Sequence, residues 1–247
     1  LDGVEAGDVI MSPEQATRRG MCGTTAFLRG TLAPEGAIVK ATAISPDRIS
    51  DDGIYEHTGP ARVFTSESSA MKAIKAGDIR QGDVVVLVGI GPMGTGMEET
   101  YQVTGAIKQL AFGSQVALIT DARFSGVSTG ACVGHVGPEG LAGGPIGKVL
   151  DGDVIRILID TKHSHGSVDL AGHLTQPFAP EEAAKVLANR SIRADLAPDP
   201  RLPEDTRLWS ILQQASGGTW AGCVYDVTRI SQCITSQSEK GSGDVEP

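Results

Sequence analysis

The 247-residue chain has few aromatic side chains, no long hydrophobic run and no surplus of positive charge. Phe, Tyr and Trp make up only 4% of it, so large rings cannot dominate its core, whereas its 32 glycines favour tight turns and close backbone approaches. No apolar stretch approaches the roughly 18–20 residues that a membrane-spanning helix needs, and no membrane partner is expected. Lys and Arg total 21 against 30 Asp and Glu, a net charge of −9. With no basic excess to neutralise phosphates, a nucleic-acid partner is not expected. An anionic small molecule stays possible, provided that a metal or a local Arg/Lys cluster holds it. The four cysteines, Cys22, Cys132, Cys223 and Cys233, form no C-x-x-C pair and read as idle or buried thiols in a reducing compartment. The first ten residues, LDGVEAGDVI, have neither a basic nor an apolar signal-peptide region, so a cytoplasmic location is expected. The start at Leu1 rather than Met reads as a fragment or trimmed segment.

What is present is an ordinary globular composition, 40% hydrophobic and 21% charged, organised as short strands and helices. The spans 37–44, 84–88, 116–120, 154–160 and 167–170 read as strands, of which 84–88 (VVVLV) and 116–120 are continuously apolar, the pattern of strands buried on both faces. Helices are expected at 67–76, with Ser66 as N-cap and Gly77 as terminator, and at 98–110, 180–190 and 203–215. Residues 49–60 and 121–147 read as turn-rich and loop, and the last ten residues as a frayed tail. The Gly-Asp pairs 82–83 and 152–153 suit tight turns that feed a barrel. The expected architecture is mixed α/β, a β-barrel-like mixed sheet flanked by helices.

Three motifs could carry chemistry. Gly89, Gly91 and Gly94 fit G-x-G-x-x-G between a strand and a helix, the context of a dinucleotide-binding turn. Against that reading, Pro92 removes a donor, and after Glu99 the next acidic residue is Asp121. Gly126, Ser128 and Gly130 fit the G-x-S-x-G of a serine hydrolase, but 121–125 separate them from the strand, and the histidines 135, 163, 165 and 173 select no triad. The third constellation joins Glu98 and Glu99, at the start of the helix expected at 98–110, with Asp121, Arg123 and Ser125 after the next strand. If the two strands are neighbours, a carboxylate, a hydroxyl and a guanidinium converge at one sheet edge, which suits a hard metal ion held through oxygen.

Longer stretches narrow the choice. GPARVF (59–64), GDVV (82–85), GPMGTGMEE (91–99), LITDARFSG (118–126) and GGPI (143–146) occur in the order and spacing of the dihydroxy-acid/sugar-acid dehydratase family, and the chain resembles the C-terminal domain of that family from about Leu1 to Asp226. Within it, GPMGTGMEETYQVT, DARFSGVSTGACVGHVGPE and SGGTWAGCVYDV look most like the D-xylonate dehydratase branch. The branched-chain amino-acid members usually read GPKGGPGM and DGRFSGG at the first two places. The resemblance implies a swivelling β-barrel domain, here 1–237 with a flexible tail 238–247, and a hydro-lyase that turns a sugar acid into its 2-keto-3-deoxy acid; the alternative in the family is dihydroxy-acid dehydration.

It further implies Mg²⁺ and an iron–sulfur cluster, with the cluster cysteines and most metal ligands on an N-terminal domain outside this chain. In this picture Ser125 is the catalytic serine and Glu99 the metal-site glutamate. Some sugar-acid members carry Thr where this chain has Val127, so a helper hydroxyl toward substrate must come from Ser128 or Thr129. The implied partners are the sugar acid, the protein's own N-terminal domain and further copies in a homo-oligomer. The chain alone is expected to be inactive.

Overall fold

The computed structural model describes residues 11–18, 23–222 and 224–241. The expectations for the first ten residues, for Cys22 and for Cys223 lie outside the described residues. Among those described, no helix is long and apolar enough to cross a membrane.

Among the described residues, nine strands build one mixed sheet: β1 (Thr25–Arg29), β2 (Gly36–Lys40), β3 (Ile54–Phe64), β4 (Val84–Leu87), β5 (Ala117–Thr120), β6 (Cys132–Gly137), β7 (Asp153–Asp160), β8 (His165–His173) and β9 (Gln176–Pro177). Their order is β1-β2-β6-β5-β4-β3-β7-β8-β9, and β1 also pairs with β8. That last pairing closes eight strands into a barrel and leaves β9 as a short hairpin extension. Strands β3, β4, β5 and β6 run parallel to one another, so their C-terminal ends emerge at one rim.

The continuous apolar runs follow from this topology. Val84, Val86, Ala117 and Ile119 point into the barrel, while Val85, Leu87 and Leu118 meet α2 (Glu67–Ala76) and α4 (Tyr101–Lys108) on the outside. Both faces of β4 and β5 are therefore covered. Helix α2 begins and ends where the sequence places it: the Ser66 hydroxyl accepts from Ser69 N, and Gly77 adopts a left-handed conformation at φ 77°. The two Gly-Asp turns also hold, with Gly82 at φ 90° and Gly152 at φ 83°. In each turn the aspartate accepts a backbone N–H three residues upstream, Asp83 from Arg80 and Asp153 from Leu150.

Two spans differ from expectation. Residues 49–60, read as turn-rich, supply most of β3, which is eleven residues long; Tyr55, His57, Ala61 and Val63 alternate inward while Glu56, Thr58 and Pro60 stay exposed. Pro60 sits where the ladder to β7 ends and the ladder to β4 begins. The 121–147 loop contains β6, whose glycines hid it: a Cβ on Gly134 would lie 2.5 Å from the Phe124 ring, and one on Gly137 2.4 Å from Trp220. Smaller shifts concern β2, which stops at Lys40 in a 3₁₀ turn, and β8, which is longer than 167–170. Pro13–Arg18 (α1), Pro92–Thr95 (α3), Pro180–Asn189 (α5), Glu204–Ala215 (α6) and Val227–Gly241 (α7) complete the helices. Helix α7 carries the chain through the first four positions of the expected tail, and 242–247 lie outside the described residues.

Candidate functional site

The rim formed by the C-terminal ends of β4, β5 and β6 is organised by two buried carboxylates. Asp121, directly after β5, accepts hydrogen bonds from Gly89 N (3.0 Å), Ile90 N (3.2 Å) and Gly140 N (2.9 Å). Glu139, just beyond β6, accepts from Met93 N with both oxygens, at 3.1 and 3.0 Å. Burial and the nearby Asp121 push the Glu139 carboxyl up to about 8. Burial also raises Asp121, against the pull of its backbone donors. A Cβ on Gly91 would stand 2.5 Å from Glu139 Oε2, so a side chain there would displace this carboxyl.

This arrangement answers the dinucleotide reading. A pyrophosphate would need the free N–H groups of the Gly89–Gly94 turn, but Gly89, Ile90 and Met93 already donate theirs to the protein's own carboxylates. Helix α3, which follows, is a single turn that ends at Thr95.

Beyond α3, Gly96 and Met97 take left-handed conformations (φ 73° and 72°) and turn the chain toward β5. Glu98 is exposed and Glu99 half-buried. They were expected at a helix start, but α4 begins only at Tyr101, so both lie in the turn that precedes it. Glu99 instead forms an isolated parallel bridge with Arg123: Thr100 N donates to Arg123 O at 3.0 Å. Arg123 Nε donates to Met97 O (3.1 Å), and its Nη1 stands 3.9 Å from Glu99 Oε2. The neighbouring-strand condition is thus met, and the Glu99 segment lies beside the segment that leads to Ser125.

Ser125 is half-buried in the β5–β6 loop, where its Oγ accepts Val127 N at 3.3 Å and its carbonyl accepts Ser128 N at 2.9 Å. Lys40 Nζ donates to Gly126 O, and Gly130 N to Ala43 O, which tie the loop to β2 and its following turn. Ser128 is turned inward: it is buried, and its hydroxyl donates to Thr104 Oγ1 of α4 at 3.2 Å. In this placement the Ser128 hydroxyl, expected toward substrate, is engaged inside the protein by Thr104. Thr129 is exposed and remains available. His163, in the turn between β7 and β8, pairs with Asp160, and His173 on β8 pairs with Asp153, so neither of these histidines is bonded to Ser128.

Three neighbours escaped the sequence reading as a unit. His135 adopts φ 54° within β6, packs edge-on against Phe124 at 6.1 Å, and gives its carbonyl to Trp220 Nε1. Burial and the positive Arg123 hold its imidazole below the ordinary range, hence neutral near pH 7. Only a strained backbone angle marks His135, and sequence does not display it.

No group of three or more His, Cys, Asp or Glu able to hold a metal occurs among the described residues. Glu99 can lend a hard cation one carboxylate oxygen, which suits one wall of a shared site. The two cysteines among the described residues do not suit a cluster: Cys132 is buried, its thiol pushed up by desolvation, and Cys233 is exposed on α7. A groove of about 500 Å³ runs along Gly96–Glu99, Arg123 and Arg201. A larger one of about 820 Å³ lies between α2, Ile90, Glu98 and the 197–201 segment.

Residues 8–191 match the family model described as the dihydroxy-acid/6-phosphogluconate dehydratase C-terminal region. The D-xylonate dehydratases YagF and YjhG of Escherichia coli are each 55% identical to the chain, over 235 and 233 residues, which is 95% and 94% of it. A dihydroxy-acid dehydratase of Solidesulfovibrio magneticus is 47% identical over 165 residues, 66% of the chain and 28% of that relative. The chain spans 36% of the length of each of the two Escherichia coli relatives.

Proposed function

We propose, given that the chain belongs to the dihydroxy-acid/6-phosphogluconate dehydratase family, that it is the C-terminal part of a hydro-lyase converting D-xylonate to its 2-keto-3-deoxy acid. The observation that carries this reading is the Glu99–Arg123 bridge, which sets a half-buried carboxylate beside the segment leading to a half-buried serine. Residues 1–237 act with an N-terminal domain that supplies the remaining ligands, in a cytoplasmic homo-oligomer.

Dehydrating a 2,3-dihydroxy acid requires removal of the weakly acidic C2 proton and departure of the C3 hydroxyl. Mg²⁺ and an iron–sulfur cluster, when bound, would supply Lewis acidity toward the substrate's oxygens. Glu99 would give one oxygen to Mg²⁺, and the cysteines for the cluster belong to the other domain. Ser125 Oγ takes the C2 proton. A neutral serine is too weak a base for this, and the field of a bound metal ion would favour its anionic form. The exposed Thr129 can donate to a sugar hydroxyl. As the C3–O bond breaks, the hydroxyl leaves as water with the proton that Ser125 has taken, and the C2=C3 enol so formed tautomerises to the 2-keto-3-deoxy acid.

The test is an assay of the full-length, anaerobically purified protein and its Ser125→Ala variant on C5 and C6 aldonic acids, with a 2,3-dihydroxy-3-methyl acid alongside. The expected result is fastest turnover of D-xylonate, reduced ~10²–10⁴-fold by the substitution with metal and cluster content unchanged. Preference for the branched dihydroxy acid would reassign the substrate, and near-normal turnover by Ser125→Ala would remove the serine from the chemistry.

A further inference from the structure

A protein of net charge −9 that takes an anionic acid must offer it a local cation. Around the rim most candidates are engaged. Arg201 is closed onto Asp199 through Nε (3.1 Å) and Nη2 (2.8 Å). Lys40 is given to the Gly126 carbonyl. Lys72 and Lys75 line the other groove, on α2.

Arg123 differs. Its Nε is anchored on the Met97 carbonyl, which the left-handed Met97 backbone aims toward it. The side chain is 54% exposed, and its approach to Glu99 at 3.9 Å is too long for a hydrogen bond. A guanidinium carries five donors in a planar fork, and the Nε contact occupies one of them. The group is thus fixed at one edge and open at the other, along the 500 Å³ groove that also contains Glu99.

We infer that Arg123 is the specificity residue that receives the substrate's carboxylate through the outer edge of its guanidinium. This rests on the dehydratase reading and adds to it the residue that selects an acid over a neutral polyol. The fork matches a carboxylate in two parallel hydrogen bonds, a geometry that lysine cannot reproduce.

The experiment uses the full-length holoenzyme. Arg123→Gln is expected to raise KM for the best aldonate ~10–100-fold with a smaller change in kcat, and Arg123→Lys is expected to fall between it and the wild type. Calorimetry with the 3-deoxy analogue of the aldonate, which cannot be dehydrated, should show the same ordering of Kd, while weak binding of the neutral polyol stays level across the three proteins. A residue that only holds the Met97 turn would lower Tm and kcat without this split between acid and polyol. Unchanged KM and Kd in Arg123→Gln would overturn the inference and leave the dehydratase reading standing; should that variant fail to fold, unchanged values in Arg123→Lys would overturn it equally. If the wild type turns over no aldonate, the functional reading fails by itself, and the calorimetric ordering still decides whether Arg123 binds the acid.

Discussion

Replacing Glu139 with Gln tests the carboxylate pair beneath the rim. In the folded protein the Glu139 carboxyl sits at about 8, against an ordinary value of 4.5, because it is desolvated and faces Asp121. Below pH 4.5 it is protonated in folded and unfolded chains alike and contributes nothing to pH dependence. Between 4.5 and about 8 the unfolded chain releases the proton while the folded chain keeps it, so folding stability falls as the pH rises. Above about 8 the loss is complete. The whole displacement corresponds to roughly 5 kcal/mol at 1.36 kcal/mol per pKa unit, which is a ceiling. Relaxation and water entry reduce it, and a loss of ~1–3 kcal/mol between pH 5 and pH 9 is expected.

Glutamine keeps an oxygen for Met93 N but carries no charge at any of these pH values. Glu139→Gln should therefore match the wild type at pH 5 and exceed it by ~1–3 kcal/mol at pH 9. Urea denaturation midpoints of both proteins, taken at steps between pH 5 and 9, measure this directly. The other titrating groups are common to the two proteins, so the difference between the profiles reports position 139 together with its effect on the facing Asp121. Parallel profiles would refute the reasoning and mean that Glu139 ionises freely in the folded state.

Glu99→Gln in the full-length enzyme should raise the Mg²⁺ concentration needed for half-maximal rate, whereas Glu98→Gln, at an exposed position, should not; equal effects would assign the wrong carboxylate. Asp153→Ala should destabilise the fold by ~3–5 kcal/mol in denaturant titrations. The fully buried Asp153 carboxylate holds Arg190, His173 Nδ1 and Leu150 N together, and its removal strands a largely buried guanidinium.

The sequence made legible those elements whose burial is complete or whose ends are capped locally. Strands β4 and β5 stand out because helices cover one face and the barrel interior the other, leaving no polar position to break the run. Helix α2 stands out because Ser66 and Gly77 act within a turn of their own positions. Strand β3 was hidden because one of its faces carries Glu56, Thr58 and Pro60, so that alternation looks like a polar turn. Strand β6 was hidden because Gly134 and Gly137 are small for tertiary reasons, namely the Phe124 and Trp220 rings that lie against them.

The same division between local and distant causes governs the site. Gly89, Gly91 and Gly94 announce a tight turn, but what the turn's amides bind depends on Asp121, 32 residues away, and Glu139, 46 away. A short motif records the shape of a turn and leaves its occupant open, so one glycine pattern can serve a pyrophosphate in one protein and internal carboxylates in another. Ser125 and Ser128 make the point at closer range. Both are hydroxyls in one glycine-flanked loop, and G-x-S-x-G selects Ser128 on spacing alone. Once the loop folds over α4, Thr104 draws the Ser128 hydroxyl inward, while Ser125, bonded only to its own turn, stays half-exposed beside the Glu99–Arg123 bridge. Which serine hydroxyl is drawn inside is therefore decided by the packing of the β5–β6 loop on α4, a contact that no spacing within the loop encodes.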